Sequence, residues 1–333
     1  MKVLVTGGAG YIGSVCVEEL IKAGHEVDII DNLSEGFREA VVPEARLHVG
    51  CLSQKAWVQD LVGAVKPEAV IHFAALAKVG ESMEKPEKYF TNNVSWGLHL
   101  LDACVAHQVQ KIVFSSTCAT YGMPQYTPMD ENHPQAPINP YGESKLLFEK
   151  ILRWYQEIHG LNHVVFRYFN ACGAVENRGQ SHREMSHLIP NVLKVVLGQR
   201  ESVDILGTDY PTPDGTGIRD YIHIQDLATA HIKAIECDAT GAFNLGTGKG
   251  HSVQEVIKAA EHVTGKSIQA VAKPRREGDP SELFANPQKA EEALGWKAQH
   301  TNLEAIIESA WKWHVSHPEG YPSASQPAPS WTI

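Results

Sequence analysis

The chain carries six cysteines (Cys16, Cys51, Cys104, Cys118, Cys172 and Cys237) but no C-x-x-C pair. Thiols scattered in this way argue against a disulfide framework or a zinc ribbon and fit a reducing compartment. No apolar run approaches the roughly 20 residues that a membrane-spanning helix needs. The first strand-like run begins at residue 2 and leaves no room for a signal peptide, so a cytoplasmic protein is the expectation. Basic residues are in deficit: 29 Lys and Arg stand against 39 Asp and Glu, a formal charge of −10. That balance disfavours nucleic acid or an anionic membrane as the main partner, although a local basic pocket is compatible with it. The H-E-x-x-H motif is missing, and His182 and His187 are spaced wrongly for it, so no metal site is expected among the 17 histidines. There is no internal repeat.

What the chain does have is a regular alternation of continuous apolar stretches and helix-like runs. Strands are expected near 2–6, 26–30, 46–50, 69–75, 111–117 and 162–169, and helices near 11–23, 54–64, 87–107 and 141–159. Strands apolar on both faces, alternating with helices, predict an α/β fold with a doubly wound parallel sheet of the Rossmann type. After Asn170 the texture changes to Gly, Pro, Asp and His, with helices expected at 186–198, 252–264 and 302–315 and a short strand at 202–206. The division expected is a dinucleotide-binding domain over 1–170 and a smaller α/β substrate domain over 171–333. Residues 222–250, with a helix at 224–236 and a strand at 242–246, return to the first domain, and a mobile tail starts at about Pro318.

The first strand runs straight into Gly7-x-x-Gly10-x-x-Gly13 and then a helix that starts near Tyr11. Glycines there let the backbone turn tightly and approach a pyrophosphate, while the helix start offers free N–H groups and a positive dipole end. The second strand ends at Asp31-Asn32, 18 residues past Gly13, near the spacing at which an acid meets the adenosine ribose. An acid at that point repels a 2′-phosphate, so NAD is expected rather than NADP. The Gly246-Thr247-Gly248-Lys249-Gly250 run lacks P-loop spacing and reads as a strand-to-helix turn. His72, inside an apolar strand, reads as a core residue.

Tyr141 and Lys145 are four apart and share a face of one helix. A phenol has a reference pKa of about 10, too high for a base near neutral pH. A neighbouring ammonium and a nicotinamide cation would lower it, so the pair could move the proton of a hydroxyl whose carbon exchanges hydride. In isolation such a pair is more often a solvated helix face. Its place after the fifth strand, whose end carries Ser115-Ser116-Thr117, puts it where the switch-point rule locates chemistry. Thr117 could hydrogen-bond the same substrate oxygen.

At these residues the chain resembles the extended short-chain dehydrogenase/reductase family, and within it the UDP-glucose 4-epimerase branch. The likeness runs from Val3 to Tyr321. It includes Val5-Thr6-Gly7-Gly8-Ala9-Gly10-Tyr11-Ile12-Gly13, His72-Phe73-Ala74-Ala75, Asp214-Gly215-Thr216-Gly217-Ile218-Arg219-Asp220-Tyr221 and Pro274-Arg275-Arg276-Glu277-Gly278-Asp279. The resemblance implies reversible inversion at C4 of a UDP-hexose through a 4-keto intermediate, with tightly bound NAD and a homodimer built on helices 87–107 and 141–159. It makes Tyr141 the general base and acid, with Lys145 and Thr117 beside it. It assigns Gly7, Gly10, Tyr11, Ile12, Gly13, Asp31, Asn32, Leu52, Phe73, Ala74, Ala75, Asn92, Lys145 and Phe169 to NAD. It assigns Asn170, Leu188, Arg219, Tyr221, Arg276 and Asp279 to the UDP-sugar. Guanidinium forks from two distant segments suit a diphosphate.

Some positions depart from the family pattern. Cys51 stands where an Asp usually faces adenine, Ala77-Lys78 where some relatives have Lys-Ala, Leu206 where Phe is frequent, and Leu283 where some have Tyr. A smaller wall at Leu283 would admit an N-acetylated sugar. Cys118-Ala119 replaces the acidic pair with which nucleotide-sugar dehydratases eliminate water. The other readings are a different UDP-sugar 4-epimerase (N-acetylhexosamine or pentose), a nucleotide-sugar reductase, and a non-catalytic NAD-sensing protein.

Overall fold

Val3 and Val5 pack on one face of strand β1 (Lys2–Thr6) and Leu4 on the other, and all three are fully buried. Both faces of this strand are covered, so no polar residue alternates along it. Strands β2 (Glu26–Asp31), β4 (Ala69–His72), β5 (Lys111–Thr117) and β6 (Asn162–Tyr168) are likewise buried on both faces, whereas the edge strand β3 (Arg46–Val49) is partly exposed. With the late strand Gly241–Leu245 they form one sheet in the order Gly241–Leu245, β6, β5, β4, β1, β2, β3, parallel throughout. This is the doubly wound Rossmann-type sheet that the alternating runs predict. The computed structural model describes residues 1–181, 187–276 and 278–325.

Helices Tyr11–Lys22 and Ile224–Glu236 cover one face of the sheet; Lys55–Val65, Trp96–Ala106 and Pro140–His159 cover the other. The strand order reverses direction between β1 and β4, so the loops leaving their carboxyl ends diverge and open a crevice. Everything that forms the site stands on that edge.

The second half builds its own core from helices Leu188–Val196, Val253–Thr264 and Leu303–Ser316. Four short strands, Asn170–Cys172, Ile218–His223, Gly250–Ser252 and Glu282–Leu283, make a small mixed sheet beside the crevice. None of the four was expected from the sequence: three of them have only two or three residues, too few to show a period of two, and Ile218–His223 mixes Arg219, Asp220 and His223 with its apolar residues. The helix expected over 186–198 begins at Leu188; Ser186, like His182, lies outside the described residues.

Two expectations change. The helix expected over 87–107 is three pieces: Pro86–Phe90, a wide π turn over Thr91–Ser95, and Trp96–Ala106. The cause is Asn93, whose side chain is buried and bonds Leu76 N and O and the Ser144 hydroxyl. Such bulges commonly serve functional sites, and here Asn92 lines the crevice. The stretch from Pro318, expected to be mobile, is packed through Ala324. Tyr321 is buried against Phe37 and Trp313, and Ser323 bonds the Glu39 carboxylate.

The helix Pro140–His159 is fixed at both ends and in its middle. Asn139 caps its first turn by accepting from Gly142 N at 2.8 Å, Pro140 is preset for the first helical position, and Gly160 closes it in the left-handed region. Inside, Glu149 takes a forked bond from Arg167 on β6 and another from Ser116 on β5. A buried ion pair stripped of one partner leaves an uncompensated charge. Arg167→Met is therefore expected to cost about 3–5 kcal/mol in urea unfolding, with part recovered in the double variant Glu149→Met/Arg167→Met.

Candidate active site

Gly7 follows β1 with φ 74°, and a side chain there would come within 2.6 Å of Ala74 N. Gly13, in the first turn of Tyr11–Lys22, faces the Gly7 carbonyl so closely that a Cβ would overlap it. These two positions admit only glycine, and they bring bare backbone and the helix start to the floor of the crevice. Asp31 ends β2 beside them. Its two oxygens accept from Ala9 N at 3.0 Å and Leu33 N at 2.8 Å. Burial pushes this carboxyl up, against those two bonds, which hold it down.

On the other side of β1, β5 delivers Thr117 and the helix Pro140–His159 delivers Tyr141 and Lys145. Thr117 lies beside the Tyr141 phenol, whose pKa it lowers, and its hydroxyl accepts from Ala119 N at 3.1 Å. Lys145 is buried, donates from Nζ to Ser115 O at 2.7 Å and lies 4.8 Å from the Phe114 ring centre. Burial by the protein pushes the Tyr141 phenol up to about 12, and neighbouring Thr117 only partly opposes it; the lowering expected from a nicotinamide cation is a separate effect. Burial likewise pulls Lys145 down to about 7, against the upward pull of Glu149. The same desolvation favours the neutral form of both groups. Nearby His72 is held neutral, its pKa lowered to about 3 by burial and next by Lys145, and it shares a 2.6 Å bond with Thr6.

At the far end, Arg276 donates to Asp279 Oδ1 at 2.8 Å, and Arg219 stands 3.8 Å from the same oxygen. The alternative partners of Arg219 face elsewhere. Asp220 accepts from Thr247 and Gly248 amides and from Ala285 N, and Asp214 from Thr216 and Ser252. The Thr247–Gly248 turn thus binds a carboxylate of its own chain rather than a phosphate, and it leads into a short strand, Gly250–Ser252, ahead of the helix.

One cavity of about 1130 Å³ joins these parts. Gly7, Gly10, Tyr11, Ile12, Gly13, Asp31, Asn32, Leu52, Phe73, Ala74, Ala75, Asn92, Thr117, Tyr141, Lys145, Phe169, Asn170, Arg219, Arg276 and Asp279 all line it. Leu188 and Tyr221 do not. They line a small adjoining cavity that shares Tyr11, Asn170, Ala171 and His187 with the large one. Cys51 lines the large cavity with its Sγ 4.0 Å from Asn32 Nδ2, and Leu283 stands at its far wall. Glu35 and His187 line it too and were not singled out for it from the sequence. The available signal was position: Glu35 is on the loop that leaves the carboxyl end of β2.

The sheet, the glycine turn and the Tyr–Lys pair define a dinucleotide-dependent enzyme class, and the sequence comparisons agree. The chain belongs to the NAD dependent epimerase/dehydratase family, whose pattern matches residues 3–246. It is 49% identical over 327 residues to a UDP-glucose 4-epimerase of Halalkalibacterium halodurans, covering 96% of this chain and 98% of that protein. A crystal structure of a UDP-glucose 4-epimerase superposes with TM-score 0.94 at 46% identity, over 96% of this chain and 99% of the other. The UDP-glucose 4-epimerase of Bifidobacterium longum in complex with NAD+ and UDP superposes with TM-score 0.91 at 39% identity, over 96% and 100% of the two chains.

The bare glycine floor and the Asp31 carboxylate fit NAD. Gly13→Ala is expected to abolish NAD retention, since the methyl group overlaps the Gly7 carbonyl and displaces the turn. Assay of bound nucleotide after desalting checks this.

Proposed function

We propose that the chain is a UDP-glucose 4-epimerase, which interconverts UDP-galactose and UDP-glucose by inversion at C4 in the cytoplasm. The observation that carries this reading is the one cavity that runs from the glycine turn, past Thr117, Tyr141 and Lys145, to Arg219 and Arg276. When bound, NAD supplies the acceptor for the C4 hydride and a positive charge on the nicotinamide beside Tyr141. Tyr141, as phenolate, takes the proton of the 4-hydroxyl, and Thr117 holds that oxygen in line. Lys145, anchored on Ser115 O, offers its charge to the phenolate. Burial is what makes this charge pairing strong, since a crevice with little water screens it poorly.

The resulting 4-keto sugar must present its other face, so the hexose has to turn while its handle stays. Arg219 and Arg276 hold the diphosphate, and Asp279 sets their spacing. Asn170, Leu188 and Tyr221 complete the nucleotide end. Tyr141 then returns the proton as hydride is restored to C4. Elimination of water is not part of this chemistry, because Cys118 and Ala119 offer no acid–base pair. A purely NAD-sensing role would leave the Tyr141–Thr117–Lys145 arrangement without a use.

A homodimer is part of the proposal. Leu147, Trp154 and Ile158 are exposed along one face of Pro140–His159 at helical spacing. An apolar stripe of this kind on a rigid helix suits burial by a second copy. The wild type is expected at twice the chain mass in light scattering, and Trp154→Glu at the chain mass.

The function itself is tested by adding UDP-galactose to the purified protein with no added cofactor. UDP-glucose is expected to form, while Tyr141→Phe, still folded, loses about 10²–10⁴-fold in turnover, the range for a lost acid–base group. Wild-type turnover in that variant contradicts the assignment. A parallel run with UDP-N-acetylgalactosamine reads whether the Leu283 wall admits the larger sugar.

A further inference from the structure

Two loops rise on opposite sides of the glycine turn. One leaves β2 and carries Glu35; the other leaves β4 and carries Lys78. In the sheet, β2 and β4 are the two neighbours of β1, so a bond between these loops passes over the carboxyl end of β1, where the glycine turn lies. Such a bond exists: Lys78 Nζ is 3.0 Å from Glu35 Oε1. Glu35 lines the same cavity as Gly7, Gly10 and Gly13, and so do Ala77 and Val79 on either side of Lys78.

Both loops are held before any ligand arrives. On the Lys78 side, its backbone N donates to the hydroxyl of the buried Tyr89 at 3.1 Å, and that hydroxyl donates to Glu81 at 2.9 Å. On the Glu35 side, Asp31 accepts from Leu33 N and Asn32 accepts from Ser34 N, while Phe37 N donates to Ala9 O of the glycine turn. The second oxygen of Glu35, Oε2, is shielded from solvent and has no hydrogen-bond partner among the described residues. An acceptor in that condition, on the wall of a nucleotide cleft, points to a donor that arrives with the ligand, such as a ribose hydroxyl.

We propose that Lys78 and Glu35 form a latch across the outer side of the cofactor crevice and slow the release of NAD. The inference rests on the NAD-dependent function set out above. Lys78 occupies the place where some relatives have the second residue of a Lys-Ala pair, so this chain turns a shifted lysine into a bridge between the two rims. The pair is partly exposed, so salt weakens it. The Debye length falls from about 30 Å at 0.01 M salt to about 3 Å at 1 M.

The test measures the fraction of NAD still bound over time after desalting, at low and high salt. It compares the wild type with Lys78→Met, Glu35→Gln, the double variant and the charge swap Lys78→Glu/Glu35→Lys, with thermal unfolding as a check on folding. Wild-type protein is expected to lose NAD about two- to fivefold faster at high salt, the range a solvent-exposed ion pair supplies. Each single variant should show the faster rate at both salts, the variants that lack the Glu35 carboxylate should be the faster ones because they also lose the Oε2 acceptor, and the swap should bring back the salt dependence of release. Release unchanged in both single variants overturns the latch. So does faster release in Lys78→Met alone, which would assign the lysine to the dinucleotide directly. Wild-type protein that never holds NAD overturns the functional reading, and the latch with it.

Discussion

Desolvation at the end of β5 is the constraint on which the rest depends. A phenol and an ammonium are placed on one helical face, deep enough that each is pushed towards its uncharged form. In water the ammonium would be charged and the phenol neutral at about pH 7. Here burial raises the cost of charging either one, so a further cation beside the phenol would lower its pKa strongly.

The architecture serves that arrangement by rigidity rather than by contact alone. Tyr141 lies in the first turn of a helix with a capped start, and the same helix is bolted to β5 and β6 through Glu149, Ser116 and Arg167. At the other end the two guanidinium groups come from Ile218–His223 and from the loop after Ala270–Lys273, and Asp279 brings them together. On the proposed mechanism, Tyr141 marks a fixed chemical end and the two arginines a fixed anion end, with open cavity between in which the sugar would turn without leaving.

Much of the sheet and of the cofactor side of the site could be read from residue order, because each signal was local. The glycine triplet after an apolar run, with an acid at the end of the next strand, is one short pattern, and Tyr and Lys four apart are another. The small sheet at Asn170–Cys172, Ile218–His223 and Glu282–Leu283 could not be read, since its stability comes from pairing between distant segments rather than from periodicity. The π turn at Thr91–Ser95 was hidden for a similar reason. Its cause is the reach of Asn93 to Leu76 and Ser144, far along the chain. Packing of Tyr321 on Phe37 was masked by a Pro- and Ser-rich composition that reads as loose. The upward push of burial on Tyr141 was likewise hidden, because a neighbouring charge is visible in a sequence and burial is not.

The most direct measurement is the titration of that one phenol. Ultraviolet difference spectra of wild type against Tyr141→Phe isolate it from the other tyrosines, with and without NAD. The account predicts an un-ionised phenol throughout the neutral range in cofactor-free protein, with its midpoint near 12, and a midpoint well below that once NAD is bound. A phenolate already present at neutral pH without NAD, or a midpoint that NAD leaves in place, would contradict it.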